Sequence, residues 1–224
     1  MTSAPVLLIV AKAPTAGFAK TRLAVDVGEH AAADLAAASL LDTLESARAT
    51  GWPVVVALVG DLGRAARQIS VRAALRPCNV VPQRGATFGA RLAAAHADAA
   101  HAHPAAAGVL QIGMDTPQVT ADDLTAAFRL LIDYGSVLGL TSDGGWWTLG
   151  LTDATAASCL VDVPMSRDDT CLSTASALRR RGLNPGFARA LDDVDCATDA
   201  EVVADHHPQL RFSAAWRASR VLTP

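Results

Sequence analysis

Three cations, Lys12, Lys20 and Arg22, stand within AKAPTAGFAKTRL (residues 11–23), directly after the apolar run Val6–Val10. A loop that follows a strand offers free backbone N–H groups, and a glycine such as Gly17 lets the chain come close to an anion. Added Lys and Arg side chains then make the loop a cradle for a polyphosphate. The ending GFAKT has Ala19 where a P-loop needs glycine directly before its lysine, so an ordinary P-loop NTPase is not expected. A solvated surface turn is the plainer alternative.

Acids follow at three places. VLQIGMDTPQVT (109–120) carries an apolar strand into Gly113 and then Asp115. Ligands of open α/β sheets gather beyond the carboxyl ends of the strands, so Asp115 is placed to hold a divalent ion, and hard carboxylate oxygens suit Mg²⁺ or Mn²⁺. A turn aspartate before Pro117 is the alternative. In TSDGGWWTLGL (141–151), Asp143 precedes Gly144 and Gly145, which leave room for a bound molecule, although a tight hairpin explains them as well. The adjacent Trp146 and Trp147 point to opposite faces of a strand, so one can be core and the other a pocket wall. LDDVDCATDAEVV (191–203) offers Asp192, Asp193, Asp195 and Asp199 around an expected strand-to-helix turn. Thr198 or Asp199 can cap that helix, and Asp195 is the acid expected at a metal.

The elements that must position these residues alternate. Strands are expected at Val6–Val10, Val54–Val59, Asn79–Val81, Val109–Ile112, Val137–Leu140 and Trp146–Leu151, and helices at Glu29–Thr50, Phe88–His101, Thr120–Tyr134 and Asp168–Arg181. This is the pattern of βαβ units on a mostly parallel sheet, and the fold class is α/β. At 224 residues, one domain with one sizeable core is expected. Residues 1–204 are read as that domain and 205–224 as a C-terminal appendage.

Composition excludes other classes. No apolar run reaches the ~20 residues of a membrane span, and a net charge of −3 with mixed signs gives no basic stripe for nucleic acid. The N-terminal residues lack the basic stretch and cleavage site of a secretory signal, so a cytoplasmic protein is expected. Cys78, Cys159, Cys171 and Cys196 form no C-x-x-C pair and are expected to be buried or partly buried thiols. His96, His101 and His103 are expected on a solvated, Ala-rich helix end rather than at a metal, because nothing acidic completes a site.

The segments AKAPTAGFAKTRL, QIGMDTP, DGGWWTLGL, VPMSRDDT and LDDVDCATD resemble, in order and spacing, the DUF2064 proteins. That family is described as glycosyltransferase-A-like and is similar to the molybdenum-cofactor and phospholactate guanylyltransferases. The resemblance spans roughly residues 5–203. It implies a single-domain nucleotide-diphospho-sugar transferase fold, Rossmann-like, with helices flanking the sheet. It also implies phosphates on the N-terminal loop and metal acids at Asp115 and Asp195. Thr116, Trp146–Trp147, Met165 and Thr87 depart from the family pattern, at positions that would shape the pocket.

The expected activity is a Mg²⁺- or Mn²⁺-dependent transferase that takes a nucleoside triphosphate or a nucleotide sugar and a small phosphorylated or sugar acceptor. Lys12, Lys20 and Arg22 would neutralise the phosphates, with Gly17, Gly144, Gly145 and Trp146 lining the substrate site. Asp143 is a possible base for glycosyl transfer. A non-catalytic nucleotide or sugar-phosphate binding protein is the alternative.

Overall fold

The computed structural model describes residues 3–221. Residues 1–2 and 222–224, the ends of the expected N-terminal stretch and C-terminal appendage, lie outside the described residues. In chain order the elements are β1 (Val6–Lys12), α1 (Ala24–Val27), α2 (Glu29–Ala49), β2 (Val54–Val59), α3 (Gln68–Leu75), β3 (Asn79–Pro82) and α4 (Phe88–Ala102). Then come β4 (Val109–Gly113), α5 (Ala121–Tyr134), β5 (Ser136–Leu140), β6 (Trp146–Leu151), α6 (Thr170–Arg180), β7 (Gly186–Ala188), α7 (Ala197–His206) and α8 (Arg211–Val221). Short 3-10 segments occupy Leu62–Arg64 and Ala154–Asp162.

The sheet has seven strands in the order β3-β2-β1-β4-β6-β5-β7. Only β6 runs against its neighbours β4 and β5; the other six strands are parallel. The VLLIVAK run of β1 is unbroken because both of its faces are covered. Leu7 and Ile9 pack in the core built with α2 and α5, while Val6 and Leu8 pack with Ala95 and Ala99 of α4. Six strands therefore deliver their carboxyl ends, and the loops that follow, to one edge.

The six strands and four helices expected by range are all present, with ends moved by at most two residues. Thr120 caps α5 through a full capping box, its hydroxyl accepting from Asp123 N and Asp123 Oδ2 accepting from Thr120 N at 3.0 Å. The strand expected before Asp195 is instead the three-residue β7, which ends at Ala188, so Asp195 lies in irregular chain between β7 and α7. Residues 211–221 form α8, whose Phe212 and Trp216 are buried with α2 and α7. The buried carboxylate of Asp42 on α2 accepts from the N–H groups of Arg211 and Phe212 and from the Arg211 guanidinium. Burial raises the pKa of Asp42, and these donors oppose that rise.

Two expectations are corrected. Cys196 is exposed at the N-cap of α7, while Cys78, Cys159 and Cys171 are partly or wholly buried. His96 is fully buried beneath α4, not solvated, and its Nε2 lies 3.0 Å from Gln111 Oε1 on β4. The Ala-rich helix lies flat on the sheet because small side chains let it approach closely, and that approach carries the imidazole inside.

Burial holds His96 neutral, with its pKa lowered to about 4 against the ordinary 6.5. The stability that the neutral ring contributes is therefore present above pH 6.5 and is lost as pH falls towards 4. Urea denaturation at pH 7.5, 6 and 5 is expected to show a loss that the His96→Gln variant lacks. The difference should approach about 1.4 kcal/mol per pH unit in that window. Parallel pH profiles for the two proteins would exclude it.

Candidate functional site

The loops at the carboxyl edge enclose a cleft of about 600 Å³. Lys12, Lys20, Arg22, Asp115, Asp143, Gly145, Trp146 and Asp195 line it, whereas Gly17 and Gly144 do not. Gly17 lies instead beside the Glu29 carboxylate.

Lys20 organises one wall. Its backbone is left-handed, with φ 52°, a conformation that costs a non-glycine residue about 1–3 kcal/mol and persists only where the surroundings over-determine it. Those surroundings are visible. The side chain is only 3% exposed, its Nζ lies 2.6 Å from Asp115 Oδ1, and it donates to the carbonyl of Val194. The Asp115 loop and the 192–195 segment are also joined directly. Val194 N donates to Asp115 O at 2.9 Å, Gln118 Nε2 donates to Asp192 O at 2.6 Å, and the Thr116 hydroxyl donates to Asp193. From α2, the Ser39 hydroxyl donates to Met114 O and so positions the residue before Asp115. The exposed Arg22 pairs with Asp195 at 3.0 Å, a contact worth about 0–1 kcal/mol.

Asp115 and Asp195 thus share one cleft, and Asp193 joins them. Its pKa is pushed up to about 7, first by burial and next by the negative charge of Asp115, with Asp195 adding to the rise. Thr116 and Lys20 oppose it. The D-V-D spacing carried a signal for this residue, because positions i and i+2 of an extended chain share a side.

Among the described residues no three His, Cys, Asp or Glu side chains converge as a ready metal site. The donor chemistry still fits a hard divalent cation. Asp115, Asp193 and Asp195 supply carboxylate oxygens only, and their mutual repulsion, felt at Asp193, is what a cation would relieve.

The opposite wall comes from the β5–β6 hairpin and the loop before α6. Asp143 Oδ1 accepts from the Thr141 hydroxyl at 2.5 Å and from Gly145 N at 2.9 Å, so this acid holds its own turn. Gly144 packs rather than lines. With φ +85°, a Cβ there would lie 1.8 Å from the carbonyl of Asp168, and Gly144 O accepts from Cys171 N. That contact docks the segment carrying Met165, Ser166 and Arg167 against the hairpin, where all three reach the cleft. The tryptophans divide as expected. Trp147 is buried, its Nε1 donating to Arg189 O across the space left by Gly139, while the partly buried Trp146 lines the cleft. Gln83, Phe88, Arg91 and Gln111 also line the cleft, and none was singled out from sequence.

The family model for DUF2064, described as an uncharacterised protein conserved in bacteria, matches residues 41–167. The chain belongs to the DUF2064 family. No curated protein matches it. Among solved structures, it is similar to a candidate nucleotide-diphospho-sugar transferase from Desulfovibrio desulfuricans G20. The TM-score is 0.85 at 23% identity, over 99% of this chain and 97% of that one. It is also similar to Rv0371c of Mycobacterium tuberculosis H37Rv in complex with manganese, with a TM-score of 0.56 at 20% identity over 89% and 98% of the two chains. CMP:2-keto-3-deoxy-manno-octonic acid synthetase with CTP gives 0.54 at 13% identity over 92% and 99%. At these identities the likeness shows the fold, which this DUF2064 chain shares with nucleotide-diphospho-sugar transferases.

Gly144→Ala is expected to destabilise the DUF2064 fold by more than the roughly 1–3 kcal/mol of backbone strain, because the added methyl meets a carbonyl. It should also loosen the 164–169 loop. Thermal denaturation and amide exchange at residues 165–171 measure both effects, and an unshifted midpoint would contradict the docking role.

Proposed function

We propose that this protein is a divalent-metal-dependent transferase that moves a nucleotidyl group from a nucleoside triphosphate to a small acceptor. The observation that carries the reading is Lys20. An ammonium held in a strained backbone at the carboxyl edge, beside a carboxylate and facing a cleft, is a costly feature that a plain surface turn does not need. The fold neighbours support it, since one binds CTP and another was crystallised with manganese.

In this reading Lys12 and Arg22 draw the triphosphate onto the loop after β1, and Lys20 neutralises charge that builds as the α–β bridge breaks. Asp115 and Asp195, with Asp193 beside them, would hold Mg²⁺ or Mn²⁺. The ion would orient the phosphates and stabilise the leaving pyrophosphate. Trp146 and the hairpin wall off the acceptor from water. An acceptor oxygen forms a bond to the α-phosphorus, and the bridging bond breaks with its electron pair on pyrophosphate.

Glycosyl transfer from a nucleotide sugar needs a base for a hydroxyl acceptor, and Asp143 is the candidate. Its Oδ1 already accepts two hydrogen bonds within its own turn, which favours the nucleotidyl reading.

Lys12 and Arg22 have room to be removed without disturbing the core. Their double alanine variant is expected to weaken nucleoside triphosphate binding by a few kcal/mol, from about 1.5–3 kcal/mol per charged contact. Asp115→Asn is expected to remove the dependence of that binding on Mg²⁺ or Mn²⁺. Calorimetry with each of the common triphosphates, with and without the ion, checks both. Unchanged affinity in the double variant would end the phosphate role of the loop.

A further inference from the structure

The cationic side chains of the cleft are unequally matched. Lys20 pairs with Asp115, Arg22 with Asp195, and Arg167 with Asp169. Among the described residues, Lys12 and Arg91 make no ion pair and no side-chain hydrogen bond, yet both line the cleft. Lys12 ends β1 and has a role in the reading above. Arg91 has none.

Arg91 is not a solvated surface arginine. It sits in the first turns of α4, half-buried, and its Nε is shut off from solvent with no partner. The Phe88 ring lies 5.4 Å from its guanidinium carbon and fixes the side chain over the cleft. The backbone beneath is held just as firmly. At Gly89 an added Cβ would lie 2.0 Å from the carbonyl of Leu160, so the start of α4 is pressed onto the 3-10 segment that follows β6. Leu92 and the adjoining Ala93 pack in the same core cluster as Trp146 and Met165. Arg91 is therefore anchored where α4 meets both the 3-10 segment after β6 and the loop after β3, whose Gly85 packs on its backbone, whereas Lys20 is anchored to the acid side.

A guanidinium that is partly desolvated, immobilised and left without a counter-charge has the properties of an oxyanion-binding group. Another cleft residue is compatible. Gln111 lines the cleft with its Oε1 taken by the neutral His96, so its amino group is left to donate. We propose that Arg91 is a specificity-determining residue that binds an oxyanion, a phosphate or carboxylate, on the ligand portion lying outside the loop after β1. Within the reading above, on which this rests, that portion is the acceptor. The chemistry then needs no base. An already ionised acceptor oxygen attacks the α-phosphorus, the new P–O bond forms, and the bridging electron pair departs with pyrophosphate. No proton moves, which matches an Asp143 committed to its turn.

Calorimetry of the full chain separates the two possible sources of the oxyanion. Inorganic phosphate and glycerol 3-phosphate serve as acceptor-side probes, titrated in the presence of Mg²⁺, and the four common nucleoside triphosphates probe the donor side. Arg91→Gln is expected to weaken binding of the acceptor-side probes at least tenfold and Arg91→Lys by less. Triphosphate affinity and thermal midpoint should stay within twofold and a few degrees of the parent. Undetectable phosphate and glycerol 3-phosphate binding by the parent, or equal affinity in Arg91→Gln, would overturn the proposal. So would a parallel fall in triphosphate affinity, which would assign Arg91 to the donor. If the parent binds no triphosphate while Arg91-dependent phosphate binding remains, the transferase reading fails and the oxyanion site stands.

Discussion

The ammonium of Lys20 is where three distant stretches of chain meet: the loop after β1, the Asp115 loop and the 192–195 segment. A charge so far removed from water must be paired, and removing either partner would leave the other uncompensated. The left-handed backbone at Lys20 shows that the demand runs in both directions. The loop is strained so that the side chain can reach, and the contacts it reaches hold the strain. Every other feature of the acid wall follows from this junction. Val194 N and O are both engaged, Thr116 is aligned with Asp193, and Arg22 is left to face solvent beside Asp195.

The central strands were legible because a strand covered on both faces is mostly apolar along its buried length, and VLLIVA within β1 or VVVALV in β2 admits no helical stripe. The caps were legible for the same local reason: Thr120 and Asp123 satisfy each other within one turn. Longer-range facts were not legible. β7 is three residues long and half-exposed, with Gly186 at its start, and only pairing to β5 makes it a strand. α8 owes its place to Asp42, a carboxylate on another helix that no local pattern links to Arg211 and Phe212.

The site divided along the same line. Residues marked by a local break, such as cations after a strand or an acid after glycine, are among those the cleft brings together. Gly144 was misread because a glycine that admits a ligand and one that admits a neighbouring carbonyl look alike in sequence. Only the approach of Asp168 O distinguishes them. Arg91, Gln83 and Gln111 were missed because each sits inside or beside a regular element, where a polar residue reads as surface. Gln111 is the sharpest instance. It stands in an otherwise apolar strand, is 2% exposed, and is held from below by a histidine that the chain carries in its most alanine-rich helix.

The two walls differ because one strand is reversed. Had β6 run with its neighbours, Trp146 would lie at the far edge of the sheet and the cleft would have acids and cations on every side. Antiparallel pairing with both β4 and β5 places the start of β6 at the carboxyl edge instead. The Thr141–Gly145 turn and Trp146 therefore arrive where the parallel strands end. The α4–Leu160 contact and the packing of Gly85 on the Arg91 backbone then hold Arg91 between that half and the loop after β3. In the proposed reading, the wall of acids and cations takes the polyphosphate, and the wall with Trp146, Phe88 and the unpaired Arg91 takes a second molecule of different character. Group transfer requires such a division, because each molecule must be recognised without competing for the place of the other.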